Sequence, residues 1–329
     1  MKTIIVRLLL AALVLTAADR LSAQIVDVNQ FKFTVYNQTN SAPPAAPNFP
    51  DAYFFGTYID TDAGTYVSNV VVYPPDYGEL PLNQFTPTYF ENSSPYYSNE
   101  TNLDADYPGG TYDYNFDCLD AASNVINADL YFDISAINLY PDAVPAFTPG
   151  CWTAMRHVDP AQDFILSWNS YGLTPGADYA YTFLSVSDHD SGIFAIGPSG
   201  PPEITSTNIP ADTLEYGRVY DVGLYFSERQ TPAGGGIGAG SITAGWDYLT
   251  QTTLFTIPPW LKIAPAGANV ILTWPALAAN YQLEKTTSLS ATSTWNAVTN
   301  VPDVNGTTNV LTLPTTNGSA FFRLAPLGF

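Results

Sequence analysis

Leu214-Glu215-Tyr216-Gly217-Arg218-Val219-Tyr220 leads straight into Asp221-Val222-Gly223-Leu224-Tyr225-Phe226, and this stretch decides the fold. The glycine marks a tight turn. Tyr220 to Phe226 then reads as a strand. Phe164-Ile165-Leu166-Ser167-Trp168 and Val270-Ile271-Leu272-Thr273-Trp274 share a second pattern, each a strand ending in a large inward ring. Upstream, residues 31–36, 52–58, 66–73, 112–116 and 128–132 are rich in aromatic or β-branched residues and bounded by Pro, Gly, Asn or Asp. Only 118–129 reads as weakly helical. With 23 Gly, 27 Pro and 14% aromatic residues the composition suits many short strands joined by turns, so an all-β chain of tandem sandwiches is expected.

A Leu, then Gly, then Tyr at the head of a strand resembles the tyrosine corner of fibronectin type III and immunoglobulin-like sandwiches, where the ring hydroxyl ties back to the preceding loop. Leu173-Thr174-Pro175-Gly176-Ala177-Asp178-Tyr179 has the same pattern but follows Trp168 too soon for the family's order, so one of the two is an ordinary turn. With the inward Trp168, residues 160–257 resemble a fibronectin type III-like domain. The closing Phe321-Phe322-Arg323-Leu324, the Asp163-to-Trp168 segment and residues 103–116 resemble uncharacterised secreted proteins of environmental Gram-negative bacteria with a C-terminal β module. That resemblance implies fold and location, not an activity. The expected organisation is a signal peptide (1–23), an acidic, Tyr-rich β domain (24–159), a fibronectin type III-like sandwich (160–257) and a small C-terminal β-sandwich module (258–329).

Lys2 and Arg7 precede an apolar run over 8–18, and Leu21-Ser22-Ala23 offers small residues for cleavage near Ala23. The address implied is secreted, periplasmic or cell-surface. No later apolar run is long enough to span a bilayer. In an oxidising compartment Cys118 and Cys151 are expected to form a disulfide, the alternative being two buried free thiols. The net charge is -20, and loss of Lys2, Arg7, Arg20 and Asp19 with the signal takes it to -22. Such a surface repels phosphate, which excludes nucleic acid as a partner. Fifteen of the acidic residues lie between Lys32 and Arg156 with no cation among them.

Catalytic patterns are missing. His157 and His189 are the only histidines, and neither Gly-x-Ser-x-Gly nor His-Glu-x-x-His occurs. Glycoside hydrolysis needs only two carboxylates and stays open by inventory. The glycine-rich run 234–240 lacks the surroundings of a phosphate loop and reads as a flexible loop. Asp60-Thr61-Asp62-Ala63-Gly64 and Asp188-His189-Asp190-Ser191-Gly192 have the opening spacing of a calcium loop, with Asp104 and Asp106 as a further pair, and turn-forming Asp and Gly as the plainer reading. Tyr89, Tyr96, Tyr97 and Tyr107 lie in polar, Pro-rich stretches and would suit stacking on sugar rings, though half-buried strand positions hold Tyr as often. The expected function is non-enzymatic, either surface binding and adhesion to another surface protein, or carbohydrate binding to an extracellular polysaccharide. No cofactor other than calcium is implied.

Overall fold

The computed structural model describes residues 25–327 except 49, 64, 121–122, 135–137, 193, 197–198, 237–238, 291 and 316–317. The expected signal peptide lies outside them. Among the described residues no helix is long and apolar enough to cross a membrane.

In chain order the elements are β1 (Ile25–Asn37), β2 (Tyr53–Thr61), β3 (Val67–Tyr73), β4 (Leu80–Pro81), β5 (Asn83–Thr86), β6 (Tyr89–Ser93), α1 (Glu100–Asp106), β7 (Gly110–Leu119), β8 (Val125–Ile134) and α2 (Pro149–Ala154). Next come β9 (Phe164–Ser167), β10 (Tyr179–Asp188), β11 (Phe194–Ile196), β12 (Ser199–Gly200), β13 (Ser206–Ile209), β14 (Val219–Gln230), β15 (Gly234–Gly236) and β16 (Ala239–Phe255). The tail supplies β17 (Lys262–Ala266), β18 (Asn269–Pro275), β19 (Tyr281–Thr286), β20 (Asn296–Ala297), β21 (Asp303–Asn305), β22 (Thr308–Pro314) and β23 (Phe321–Pro326).

The chain is all-β, built of packed sheets. A nine-stranded sheet runs β11-β10-β14-β16-β1-β2-β6-β5, with β12 beside β10. At its centre β1 lies parallel to β16, from Ile25 beside Ala239 to Asn37 beside Gln251. Strands from both sides of Asp159-Pro160 therefore belong to one hydrogen-bonded sheet. One face of it carries two cores. The five-stranded sheet β15-β8-β7-β3-β4 covers the first, filled by Phe55, Tyr112, Tyr114, Phe116 and Phe132. Over the second lie the α2 region and the β9/β13 pair, with Leu166, Trp168, Leu184, Tyr220 and Phe226. β16 serves both, giving Ile242, Ala244 and Trp246 to the first and Leu254 to the second. A third core joins Leu272, Trp274, Leu283 and Leu311 of the tail to Tyr216. Leu166, Trp168 and Tyr220 thus share a core, and Trp274 plays the same part in the tail.

The hydroxyl tie of the tyrosine corner is present at Tyr220, which accepts the Glu215 N–H at 2.8 Å, while Gly217 turns the chain at φ +67°. Tyr179 is exposed and follows an ordinary turn closed by the Ala177 N–H on the Thr174 carbonyl.

Three expectations need correction. Cys118–Leu119 and Val125–Asp129 lie in paired antiparallel strands rather than in a helix, because Tyr114, Phe116 and Cys118 alternate into the core with Leu130 and Phe132. Gly234–Gly236 is not a free loop but a strand paired with β8, Gly234 opposite Phe132. Cys118 and Cys151 are both free and buried, one in the first core and one in the second, so no disulfide joins them. Burial pushes both thiol pKa values up, which leaves them unreactive.

Candidate functional site

On β1 the polar side chains turn inward and the rings outward. Gln30, Lys32 and Thr34 are buried, whereas Phe31 and Phe33 lie half-exposed on the outer face of the nine-stranded sheet, which no other described layer covers. Burying the Lys32 ammonium lowers its pKa, although Asp104 opposes this, and its Nζ donates to Asp104 and to Asn138. A chain that leaves two phenylalanines half wet and buries a lysine gives up stability, and such departures mark functional surfaces.

Strand register lays out this face row by row. One row crosses Tyr181, Ser227, Asp247, Phe33 and Phe54, and its neighbour crosses Phe183, Tyr225, Leu249 and Val35. On the other side come Tyr179, Arg229, Gly245, Phe31 and Gly56. Asn29, Tyr58 and Glu91, then Asp27, Asp60 and Tyr89, complete the more polar end. The rings touch in sequence: Phe183 to Tyr225 at 5.3 Å between centroids, Tyr225 to Phe33 at 6.1 Å, Phe33 to Phe54 at 5.2 Å and Phe54 to Tyr96 at 5.3 Å. From β10 to β2 this is four strand intervals, about 19 Å.

Three hollows lie along the face. The central trough, about 610 Å³, is walled by Phe31, Phe33, Tyr58, Tyr181, Phe183 and Tyr225. Phe31 and Tyr58 also border a hollow of about 370 Å³ toward Phe85 and Tyr89, and Tyr225 borders one of about 690 Å³ toward Trp152 and Arg156. Together they form a depression across the sheet. Gly56 makes room for the Phe31 ring, since a Cβ there would lie 2.5 Å from it.

At the centre, Arg229 makes two parallel hydrogen bonds to Asp247, 2.8 and 3.1 Å, with both side chains nearly buried. Ser227 donates to Asp247 at 2.5 Å, and Arg229 donates to the Tyr181 hydroxyl at 2.8 Å. Burial works against the Arg229 charge, but Asp247, Tyr181 and Tyr179 together outweigh it and hold the guanidinium pKa above its usual value. The pair is electrically closed. Asp60 is raised by burial and by Asp27 across the strand, and Tyr89 donates to Glu91 at 2.5 Å. At the opposite end His189 is raised by its hydrogen bond to Asp221. Arg156 lies over the Trp152 ring at 4.4 Å and donates to Thr252 and Thr253.

Of the four expected sugar-stacking tyrosines, Tyr89 and Tyr96 reach this face. Tyr107 does not: it is fully buried, stacked on Phe55 at 4.3 Å between centroids, because it closes the first core behind α1. Tyr97 is half-buried, packs on Tyr107 and donates to Asp106 at 2.6 Å. Among the acidic pairs, Asp60 lies on the face and Asp62 in the turn beyond it. Asp104 accepts from Lys32, Asn138 and Tyr140, and Asp106 from Tyr97. Asp188 accepts from Ser191 and the Asp190 N–H, with Arg218 beside both carboxylates. Among the described residues no group of three or more His, Cys, Asp or Glu is placed to hold a metal ion. Phe31, Phe33, Phe54, Tyr58, Tyr181, Phe183 and Tyr225 were not expected as site residues; the signal was Phe31-Lys32-Phe33, rings alternating with a polar chain inside a strand.

No family model and no curated protein matches the chain. Among solved structures it is similar to the FN1–FN3 domains of chicken CNTN1, at 8% identity and TM-score 0.23, over 83% of this chain and 90% of that one. A tetra-tandem repeat from the extending region of a large adhesion protein aligns at 10% identity and TM-score 0.24, over 91% and 66%. A bacterial ice-binding adhesin aligns at 11% identity and TM-score 0.19, over 90% and 95%. At such scores these likenesses carry no argument, and the fold rests on the strand pairing itself.

Proposed function

We propose that the chain is an exported, non-enzymatic binding protein that holds an extended polysaccharide across the outer face of its nine-stranded sheet. The observation that carries this reading is the continuous run of Phe183, Tyr225, Phe33, Phe54 and Tyr96 on an uncovered face. Aromatic rings stack on the apolar faces of sugar rings, while the hydroxyls and carboxylates between them take up the sugar hydroxyls. A broad, shallow depression suits a chain running across strands better than a small molecule, which favours enclosure. Lys2, Arg7 and the apolar run after them support the extracellular setting in which such polymers occur.

Affinity electrophoresis and calorimetry of the full chain against soluble neutral polysaccharides test the reading. Tyr225→Ala and Phe33→Ala, checked for folding by thermal melts, should each weaken binding about tenfold, a loss of roughly 1.4 kcal/mol for one stacked ring. If no polysaccharide binds, or if both folded variants bind as the wild type does, the proposal fails.

A further inference from the structure

The geometry points to Asp247 and Tyr181 as readers of neighbouring hydroxyls, which makes the ligand a neutral, unsubstituted polysaccharide; this rests on the reading above. Arg229 Nη1 donates to Asp247 Oδ1 and to the Glu228 carbonyl, and Nη2 to Asp247 Oδ2 and the Tyr181 hydroxyl. All four protons at the tip of the guanidinium are thereby used, and its charge is cancelled. An anionic ligand finds nothing there. Two capacities remain on the trough side. The Tyr181 hydroxyl already accepts from Arg229, so its own proton is free to be given. The Asp247 carboxylate has about four acceptor positions and receives three bonds, one from Ser227 and two from Arg229.

One donor and one acceptor thus lie side by side on the floor of an aromatic trough. Adjacent sugar hydroxyls can each give and take a hydrogen bond, and satisfy both. A carboxylate or sulfate only accepts, so it cannot bond Asp247, which offers only acceptor positions. The repulsion of an anion comes instead from Asp27, Asp60 and Glu91 on the same face. The structure also accounts for the buried ion pair, which costs desolvation on a face where apolar residues would pack better. Arg229 holds the Asp247 carboxylate and the Tyr181 hydroxyl in fixed orientation.

The test uses the full chain and whichever soluble neutral polysaccharide it binds best among mixed-linkage β-glucan, xylan and galactomannan. Tyr181→Phe keeps the ring and removes only the hydroxyl; binding should weaken about five- to tenfold, the range for one hydrogen bond. Should that variant melt abnormally, wild-type protein titrated with the O-methylated and carboxymethylated forms of the same polymer gives a second measurement, and both forms should bind at least tenfold less tightly. Equal binding of the methylated form overturns hydroxyl reading while leaving the polysaccharide proposal standing. Equal or tighter binding of the carboxymethylated form overturns neutrality. Absence of binding to every polymer removes the underlying reading and this inference with it.

Discussion

Glu228 is fully buried on the inner face of β14, the residue before Arg229. Its Oε1 accepts the Thr174 N–H at 3.1 Å and hydroxyl at 3.2 Å, while Oε2 has no partner. Burial raises its pKa from 4.5 to about 7, with the Thr174 bonds pulling the other way. The folded state therefore keeps a proton that the unfolded chain has lost. Its contribution to stability is fully present below pH 4.5 and declines as pH rises to 7, beyond which the group is a net cost. At roughly 1.4 kcal/mol per pKa unit the swing is about 3 kcal/mol. Glu228→Gln preserves the shape and can accept from Thr174 through its carbonyl, but carries no charge at any pH. Urea denaturation at pH 4, 6 and 8 should find the two proteins alike at pH 4 and the variant about 3 kcal/mol more stable at pH 8. Taking the difference between them removes the other carboxylates from the comparison. A variant that gains nothing at pH 8, or gains equally at every pH, would refute the reasoning.

Two further outcomes follow from packing. Cys118 and Cys151 lie in separate cores as free thiols, so iodoacetamide should leave the native protein unlabelled and add two carbamidomethyl groups once it is unfolded without reductant; one disulfide-sized mass difference on reduction would contradict this. Gly245→Ala puts a Cβ against the Arg229 guanidinium and should cost about 2 kcal/mol through overpacking, read as a lowered melting temperature; an unchanged melt would mean the arginine is held more loosely than its bonds to Asp247 imply.

Architecture was legible where one face of a strand is apolar and the other polar. Leu166 with Trp168, and Leu272 with Trp274, occupy cores at the spacing their alternation implies. The corner at Tyr220 could be found because its turn, its glycine and its ring are local in sequence. Sheet membership was another matter, since β1 and β16 are separated by two hundred residues and nothing in either names its partner. The proposed binding face was harder still. Phe31 and Phe33 look like core residues, and the burial of Gln30, Lys32 and Thr34, with Lys32 held by Asp104 and Asn138, shows which way β1 faces. Tyr107 failed in the opposite sense: a tyrosine in a polar, Pro-rich stretch looks exposed until Phe55 and Tyr77 are found stacked on it.

The parallel pairing of β1 with β16 has a mechanical consequence. β1 begins at Ile25, and β16 ends at Phe255 where the tail begins, so the two strands leave the sheet at opposite ends. Tension applied between Ile25 and Phe255 slides one strand along the other. Every hydrogen bond from Ile25 to Asn37 is then loaded at once, rather than being opened singly like a zip. The sheet therefore resists pulling most strongly along the axis of these two strands.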